Sequence, residues 1–243
     1  MPVPSVISAA TAHAVAIPVA RGLIEGDLQV PVHARGLVIF AHGSGSSRLS
    51  RRNRQVAESL NNDRFATLLL DLLTAHEDII DQRTMEYRFD IPRLGSRVIA
   101  AVDWARHREG LWHLSVGCFG ASTGAAAALI AAAERPEIVR AVVSRGGRPD
   151  LANDALARVT APTLLIVGGN DGPALGMNRD AMWRMPAAQV DIRIVLGATH
   201  LFEEPGTLEE VERLASQWFT RYLVSRNDHA VVAGLPDDFP PPV

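Results

Sequence analysis

The chain has 243 residues, 47% of them hydrophobic, which is enough for one α/β domain with a sizeable core. Its formal net charge of -3 argues against a nucleic-acid-binding protein, because such proteins normally carry a basic excess. The single cysteine, Cys118, excludes an intramolecular disulfide and is typical of a reducing compartment.

The sequence shows no sign of a membrane or secretory segment. No apolar run approaches the length of a membrane span, and the alanine-rich N-terminus lacks the positive charges that open a signal peptide. We therefore expect a cytoplasmic protein with neither a membrane nor a nucleic acid as partner. Leu235–Val243, with four prolines and two aspartates, is predicted to be a tail, which leaves residues 1–234 as one domain. Both a monomer and a homodimer fit these features.

Apolar runs alternate with amphipathic helical patterns through most of the sequence. This alternation predicts an α/β fold with a mostly parallel central sheet and helices on both faces, opened by an antiparallel pair of strands. In such a sheet ligands bind at the carboxyl ends of the strands. The predicted strands are Ala14–Val19, Leu23–Val30, Gly36–Ala41, Ala66–Leu70, Leu111–Phe119, Ile138–Ser144, Pro162–Gly168 and Asp191–Leu196. The predicted helices are Arg51–Leu60, Ile91–Arg108, Thr123–Glu134 and Leu208–Tyr222.

Two polar segments allow more than one interpretation. Leu72–Ile91 follows the fourth predicted strand and is either a partial lid over a pocket or a solvated connection. Ser144–Arg148 follows a later strand, so Arg145 or Arg148 is a candidate contact for an anionic substrate group. The alternative is an arginine paired with a neighbouring carboxylate.

The stretch Gly120–Gly124 reads Gly-Ala-Ser-Thr-Gly and lies between a predicted strand and an alanine-rich helix. A serine between two glycines at such a junction is typical of a strained turn that lifts the hydroxyl above the sheet. The N-terminus of the following helix favours negative charge that develops at the same point. We therefore predict Ser122 as a nucleophile, the alternative being a simple helix N-cap.

A serine hydroxyl needs a base to remove its proton and an anionic group to hold that base. Asp171 follows a buried predicted strand and a glycine-rich turn, and His200 follows the last predicted strand. We predict Asp171 as the acid and His200 as the base. The alternatives are a turn residue and a surface histidine, and the rival acids are Asp150 and Asp154.

An oxyanion hole needs two backbone N–H groups directed at the tetrahedral intermediate. We predict Thr123, which follows Ser122, as one donor and Ser44 as the other. Ser44 lies in a glycine-rich loop after the third strand, where the backbone can approach closely. His42 in the same loop is interpreted as a structural histidine, and Cys118 as a buried core thiol.

These stretches resemble the α/β-hydrolase superfamily along essentially the whole chain, and most of all the small esterase-like proteins related to dienelactone hydrolase. The resemblance implies nucleophile, acid and base roles for Ser122, Asp171 and His200, whose chain order is that of α/β-hydrolases. Similar hydrolase domains occur fused to a phosphoribosyltransferase domain, for which we expect no room in this chain. The matching stretches are Val38–Arg48, Phe119–Gly124, Pro162–Asp171 and Gly197–Phe202.

Dienelactone hydrolases use cysteine as the nucleophile, whereas this chain has Ser122, which favours ordinary ester hydrolysis. We predict a serine hydrolase that cleaves a small carboxylic ester, lactone or thioester. An acyltransferase with the same residues and a non-catalytic small-ligand-binding protein are the alternatives. No organic cofactor or metal is expected, because the sequence has no His/Cys cluster with ligand spacing and no dinucleotide-type glycine motif after the first strand.

Overall fold

The structure is a computed structural model that describes residues 12–224. Its strands are β1 (His13–Val19), β2 (Gly22–Gln29), β3 (Leu37–Ala41), β4 (Ala66–Leu70), β5 (Val116–Ala121), β6 (Val139–Arg145), β7 (Thr163–Gly168) and β8 (Val190–Val195). Its helices are α1 (Arg51–Asn62), α2 (Ala75–Thr84), α3 (Ile91–Arg106), α4 (Thr123–Glu134), α5 (Gly172–Trp183) and α6 (Thr207–Leu223), with a 3-10 helix at Pro149–Arg158.

All eight strands form one sheet in the order β1-β2-β4-β3-β5-β6-β7-β8. The β1–β2 and β2–β4 pairs are antiparallel, and every pair from β4–β3 through β7–β8 is parallel. Every residue of β3, β4 and β5 is buried, as expected for central parallel strands covered on both faces. The predicted α/β fold with a mostly parallel sheet is therefore confirmed.

A hydrophobic layer covers each face of the sheet. On one face α3 packs closely on α4, because α4 presents mostly alanines and α3 has a glycine at the contact. A Cβ at Gly95 would lie only 2.7 Å from Ile130 Cγ2. On the other face α1 and α6 contribute large side chains such as Leu60 and Trp218, both fully buried. Because helices cover both faces, the sheet is accessible along the two edges that the ends of its strands form.

The predicted strand Leu111–Phe119 is wrong at its N-terminal end. The strand β5 begins at Val116, and residues 111–114 form turns. Leu111 and Leu114 are still buried in the core. Their apolar character therefore reflects packing beneath the sheet and not strand structure.

The sequence analysis missed α2, α5 and the 3-10 helix. Both α2 and α5 carry N-terminal signals, since Thr74 and Glu77 form a capping box and Asp171 caps a helix with Pro173 in its first turn. Their apolar periodicity is weak because both helices lie largely at the surface. Only Ala174, Asn178 and Ala181 are buried in α5.

The predicted site residues follow the C-terminal ends of β3, β5, β7 and β8 and therefore share one edge of the sheet. Within residues 12–224, no helix combines the length and the apolarity that a membrane crossing requires. The predicted tail Leu235–Val243 lies outside the described residues, and the domain boundary at residue 234 stays a prediction.

Candidate active site

Ser122 occupies the turn between β5 and α4, and its backbone is strained there. Its φ of 50° and ψ of -121° lie outside the regions that residues with a side chain ordinarily adopt. A Cβ at Gly120 would lie 2.4 Å from Ala125 Cα. A Cβ at Gly124 would lie 2.2 Å from the Ala41 carbonyl oxygen. The Ser122 side chain makes no capping hydrogen bond to α4, so its hydroxyl is not used as a helix cap.

Asp171 and His200 lie next to each other although 29 residues separate them in the chain. His200 Nδ1 is 2.7 Å from Asp171 Oδ2. Asp171 also caps α5, because its Oδ1 accepts the Ala174 N–H at 3.4 Å. A carboxylate only accepts hydrogen bonds, so the proton on the neutral imidazole resides on Nδ1. The other ring nitrogen, Nε2, is then free to accept a proton.

The loop that carries His200 is fitted closely against the end of β6. Gly146 has a φ of 50°, and a Cβ there would lie 2.8 Å from the His200 carbonyl oxygen. The next contact along the loop is the Thr199 N–H, which donates to Glu204 Oε2 at 3.1 Å. Phe202 is buried with a φ of 56°. These contacts fix the backbone of the loop and so the position of the His200 side chain. The sequence analysis did not single out Gly146.

One cavity of 260 Å³ at the edge of the sheet is lined by three of the five predicted site residues, and Thr123 and Asp171 are not among its described lining residues. Its lining includes Ser44, Ser122 and His200, together with Arg145 at the end of β6. Asp171 lies behind the imidazole, and 14% of its side chain is exposed against 42% for His200. The histidine therefore lies between the carboxylate and the cavity that contains the serine.

The loop after β3 packs directly on the serine turn. A Cβ at Gly43 would lie 3.0 Å from Ser122 Cβ, so only glycine allows this approach without displacement. Within residues 12–224, neither the Ser44 N–H nor the Thr123 N–H has a hydrogen-bond acceptor. Thr123 follows Ser122 in the chain and Ser44 lines the same cavity as Ser122, so both amides stay candidates for the donors of an oxyanion hole.

His42 fixes the orientation of that loop. The Leu72 N–H donates to His42 Nε2 at 3.1 Å, so Nδ1 carries the proton and donates to the Gly43 carbonyl oxygen at 2.8 Å. The N–H of a trans peptide points away from its carbonyl, so this bond sets the direction of the Ser44 N–H. Burial lowers the pKa of His42, which keeps the ring neutral. His42 is therefore structural, as its place in the loop suggested.

We expect His42 to make stability depend on pH. The folded state disfavours the charged imidazole, whereas the unfolded chain takes up a proton below the ordinary pKa of 6.5. The stabilising effect of His42 should therefore be present above that pH and decline as the pH falls below it. Denaturant unfolding of the wild type and His42→Asn across this range measures the difference. His113→Asn, at an exposed position, controls for the loss of an imidazole. If the wild type and His42→Asn differ in free energy of unfolding by the same amount at all pH values, the expectation is contradicted.

The structure separates several alternatives left open by the sequence. Asp150 is engaged by Arg148, at 2.9 Å and 2.8 Å, whereas His200 Nδ1 is bound to Asp171. Arg148 is thus the paired arginine of its segment, whereas Arg145 has no carboxylate partner among residues 12–224. Cys118 is fully buried, and burial raises the pKa of its thiol to about 12, so it stays protonated. Asp154 lies in the 3-10 helix at an exposed position.

The polar segment Leu72–Ile91 forms a fixed wall beside the loop of Ser44. Asp81 accepts the backbone N–H groups of Tyr87 and Arg88 at 2.7 Å and 2.9 Å, and Arg88 Nε at 2.7 Å. Although burial by itself raises the pKa of Asp81, these hydrogen bonds hold it below its usual range. The Arg88 guanidinium reaches the loop, since a Cβ at Gly45 would lie 3.2 Å from its Nη1. A second cavity, of 640 Å³, lies between this wall and the loop.

Two buried asparagines near the site were also missed by the sequence analysis. Asn178 of α5 donates to the Gly147 carbonyl at 3.0 Å and so holds the turn after β6. Asn53 of α1 is 2% exposed and accepts a hydrogen bond from Arg145. Neither lies in a recognisable motif. Among the described residues, no group of three or more His, Cys, Asp or Glu side chains has the arrangement of a metal site.

Comparison with known proteins gives consistent matches. The model of the dienelactone hydrolase family matches residues 24–223. A crystal structure of dienelactone hydrolase from Anabaena variabilis is 56% identical, with a TM-score of 0.86 over 88% of this chain and 98% of that one. Est1E from Butyrivibrio proteoclasticus, 17% identical, shares the fold with a TM-score of 0.68 over 85% of this chain and 97% of that one.

A longer relative is also similar. A Mycobacterium tuberculosis (strain H37Rv) protein named "Putative phosphoribosyl transferase" is 55% identical over 200 residues. The match covers 82% of this chain but only 44% of that relative. The chain therefore spans less than half the length of this curated protein.

Proposed function

The chain belongs to the dienelactone hydrolase family, and on that premise we propose that it is a serine hydrolase that cleaves a small carboxylic ester, lactone or thioester. Ser122 is the nucleophile, His200 the general base and Asp171 the residue that orients the base. One observation carries the proposal. Ser122, whose backbone is strained, and His200, whose Nδ1 is bound to Asp171, line the same cavity. The free Nε2 of the His200 imidazole is the available base.

In the first half of the reaction, His200 Nε2 takes the Ser122 proton while the serine oxygen attacks the acyl carbon. The resulting oxyanion accepts hydrogen bonds from the Ser44 and Thr123 N–H groups, whose lack of other acceptors supports this role. The imidazolium then protonates the leaving alcohol or thiol, and the acyl group remains on Ser122.

In the second half, a water molecule takes the place of the leaving group. His200 removes its proton, the hydroxide attacks the acyl carbon, and the proton passes to the serine oxygen as the acid is released. Asp171 keeps the proton of the neutral ring on Nδ1 and stabilises the ring when it is charged. The Nδ1–Oδ2 distance of 2.7 Å supports this assignment.

A phosphonate probe tests the proposal directly. A fluorophosphonate mimics the tetrahedral intermediate and forms a stable bond to an activated serine. We expect peptide mass spectrometry to locate the adduct on Ser122, and prior labelling to abolish hydrolysis of p-nitrophenyl acetate. A labelled residue elsewhere would overturn the assignment of Ser122. No adduct and no turnover would favour a ligand-binding protein without catalysis.

A further inference from the structure

Arg145 is a buried arginine whose charge is not balanced by a carboxylate among residues 12–224. Only 6% of the residue is exposed. Its Nη2 donates to Asn53 Oδ1 at 3.2 Å, and its Nε has no hydrogen-bond partner. The Phe202 ring lies 5.9 Å from the guanidinium carbon. The charged group that acts most strongly on it is another cation, Arg52.

The contrast with Arg97 shows that this arrangement is unusual in the molecule. Arg97 is 5% exposed, and its Nη2 lies 2.7 Å from Glu77 Oε1. Burying a guanidinium without such a partner costs free energy. Burial, together with the charge of Arg52, lowers the pKa of Arg145 to about 10, so the side chain is still charged at neutral pH. The protein thus carries an uncompensated positive charge at this position.

That charge lies in the same cavity as Ser122 and His200. Arg52 and Asn53 also line the cavity. Arg52 is ion-paired with Glu203 at 2.7 Å, but no Asp or Glu is among the described lining residues of the cavity. The neighbouring 640 Å³ cavity is different, because four carboxylates line it and its two arginines, Arg48 and Arg88, are ion-paired. In this cavity an anion therefore meets Arg145, a buried cation that has no carboxylate partner among residues 12–224.

We propose that Arg145, with Asn53 and Arg52 beside it, binds an anionic group of the substrate, either a carboxylate or a phosphate. This inference rests on the proposed function, since it takes Ser122 to attack a substrate in the same cavity. Guanidinium groups bind both anions through paired hydrogen bonds, and within residues 12–224 the only hydrogen-bond partner of this guanidinium is Asn53 Oδ1. The volume of 260 Å³ restricts the substrate to a short chain between the scissile carbonyl and the anion.

A matched pair of esters tests the proposal. The p-nitrophenyl monoester of glutaric acid carries a carboxylate that p-nitrophenyl valerate lacks. We expect the wild type to favour the charged ester in kcat/KM by about 10- to 100-fold, and Arg145→Met to abolish most of that preference. The preference is the ratio of kcat/KM for the two esters within each variant, so a loss of activity common to both esters cancels, and Arg145→Lys should retain part of the preference. Arg148→Met is the matched control, because Arg148 is paired with Asp150 and does not line the cavity.

An unchanged preference in Arg145→Met, or a wild type that favours the neutral ester, would overturn the proposal. Binding measurements separate this outcome from a failure of the proposed function. If neither ester is hydrolysed, glutarate and inorganic phosphate should still raise the melting temperature of the wild type and not that of Arg145→Met. The anion that raises the melting temperature more identifies the substrate group that Arg145 binds. Arg145→Met should itself melt no lower than the wild type, and a lower melting temperature with unchanged anion binding would assign Arg145 a structural role instead.

Discussion

Replacing Ser122 by alanine is expected to lower kcat for ester hydrolysis by about 10³-fold or more. In the proposed mechanism the variant loses the atom that forms the acyl-enzyme, while the Ser44 and Thr123 amides and the cavity are retained. Substrate binding should therefore persist, and the loss should appear in kcat rather than KM. Stopped-flow and steady-state assays with p-nitrophenyl acetate measure both, and the burst of an acylation step should vanish with the hydroxyl.

The matched control for this variant is Ser46→Ala. Ser46 lines the same cavity, is exposed and has no place in the proposed chemistry, so its loss should leave kcat within about threefold. Replacing His200 by glutamine in the Ser122→Ala background should cost nothing further, because the two groups act as a unit. Equal activity in Ser122→Ala and the wild type would refute the nucleophile assignment. An additive loss of activity in the double variant would show that Ser122 and His200 act independently.

The edge at which the site lies could be predicted from sequence because it follows from topology. Apolar runs predict the strands, alternation with helices makes them parallel, and parallel strands end at one edge. Ser122, Asp171 and His200 each come within a few residues of the end of such a run, so their placement at one edge of the sheet required no knowledge of side-chain packing. The 2.7 Å contact between Asp171 and His200 agrees with that prediction of proximity.

Features that depend on distant partners could not be predicted in this way. Arg145 and Asn53 are 92 residues apart, and nothing in either local sequence indicates their contact. Arg148 and Asp150 are two residues apart, so their pairing could be anticipated as an alternative. Which of the two arginines is unpaired depends on the side chains that the fold brings near each of them, and that is a three-dimensional property.

Helix α5 illustrates a second limit. Its start is encoded locally by Asp171 and Pro173, but only three of its residues face the core, so its apolar pattern is too sparse to predict a helix. The same Asp171 serves as helix cap and as histidine partner, through its two carboxylate oxygens. The sequence analysis recognised the glycine-rich turn around Asp171 but did not predict the helix that Asp171 caps.

Replacing Gly124 by alanine is expected to destabilise the protein by about 3 kcal/mol and to abolish activity. The new Cβ would lie 2.2 Å from the Ala41 carbonyl and 2.5 Å from the His42 carbonyl, which are rigid backbone atoms at the end of β3. Either α4 or the loop of Ser44 must move, and both movements displace Ser122 from the amides that flank it. Thermal and denaturant unfolding measure the loss of stability, and labelling by the fluorophosphonate reports the geometry of the turn.

Gly176→Ala provides the matched control for this change. Gly176 lies exposed within α5, and a Cβ there meets nothing within 4 Å, so alanine should raise the free energy of unfolding by up to about 1 kcal/mol. The same substitution therefore has opposite expected signs at two helical glycines, one packed on a strand end and one open to solvent. Unchanged stability and full labelling in Gly124→Ala would show that neither stability nor the position of Ser122 depends on the close approach of α4 to β3. The strain at Ser122 would then have a cause other than this contact.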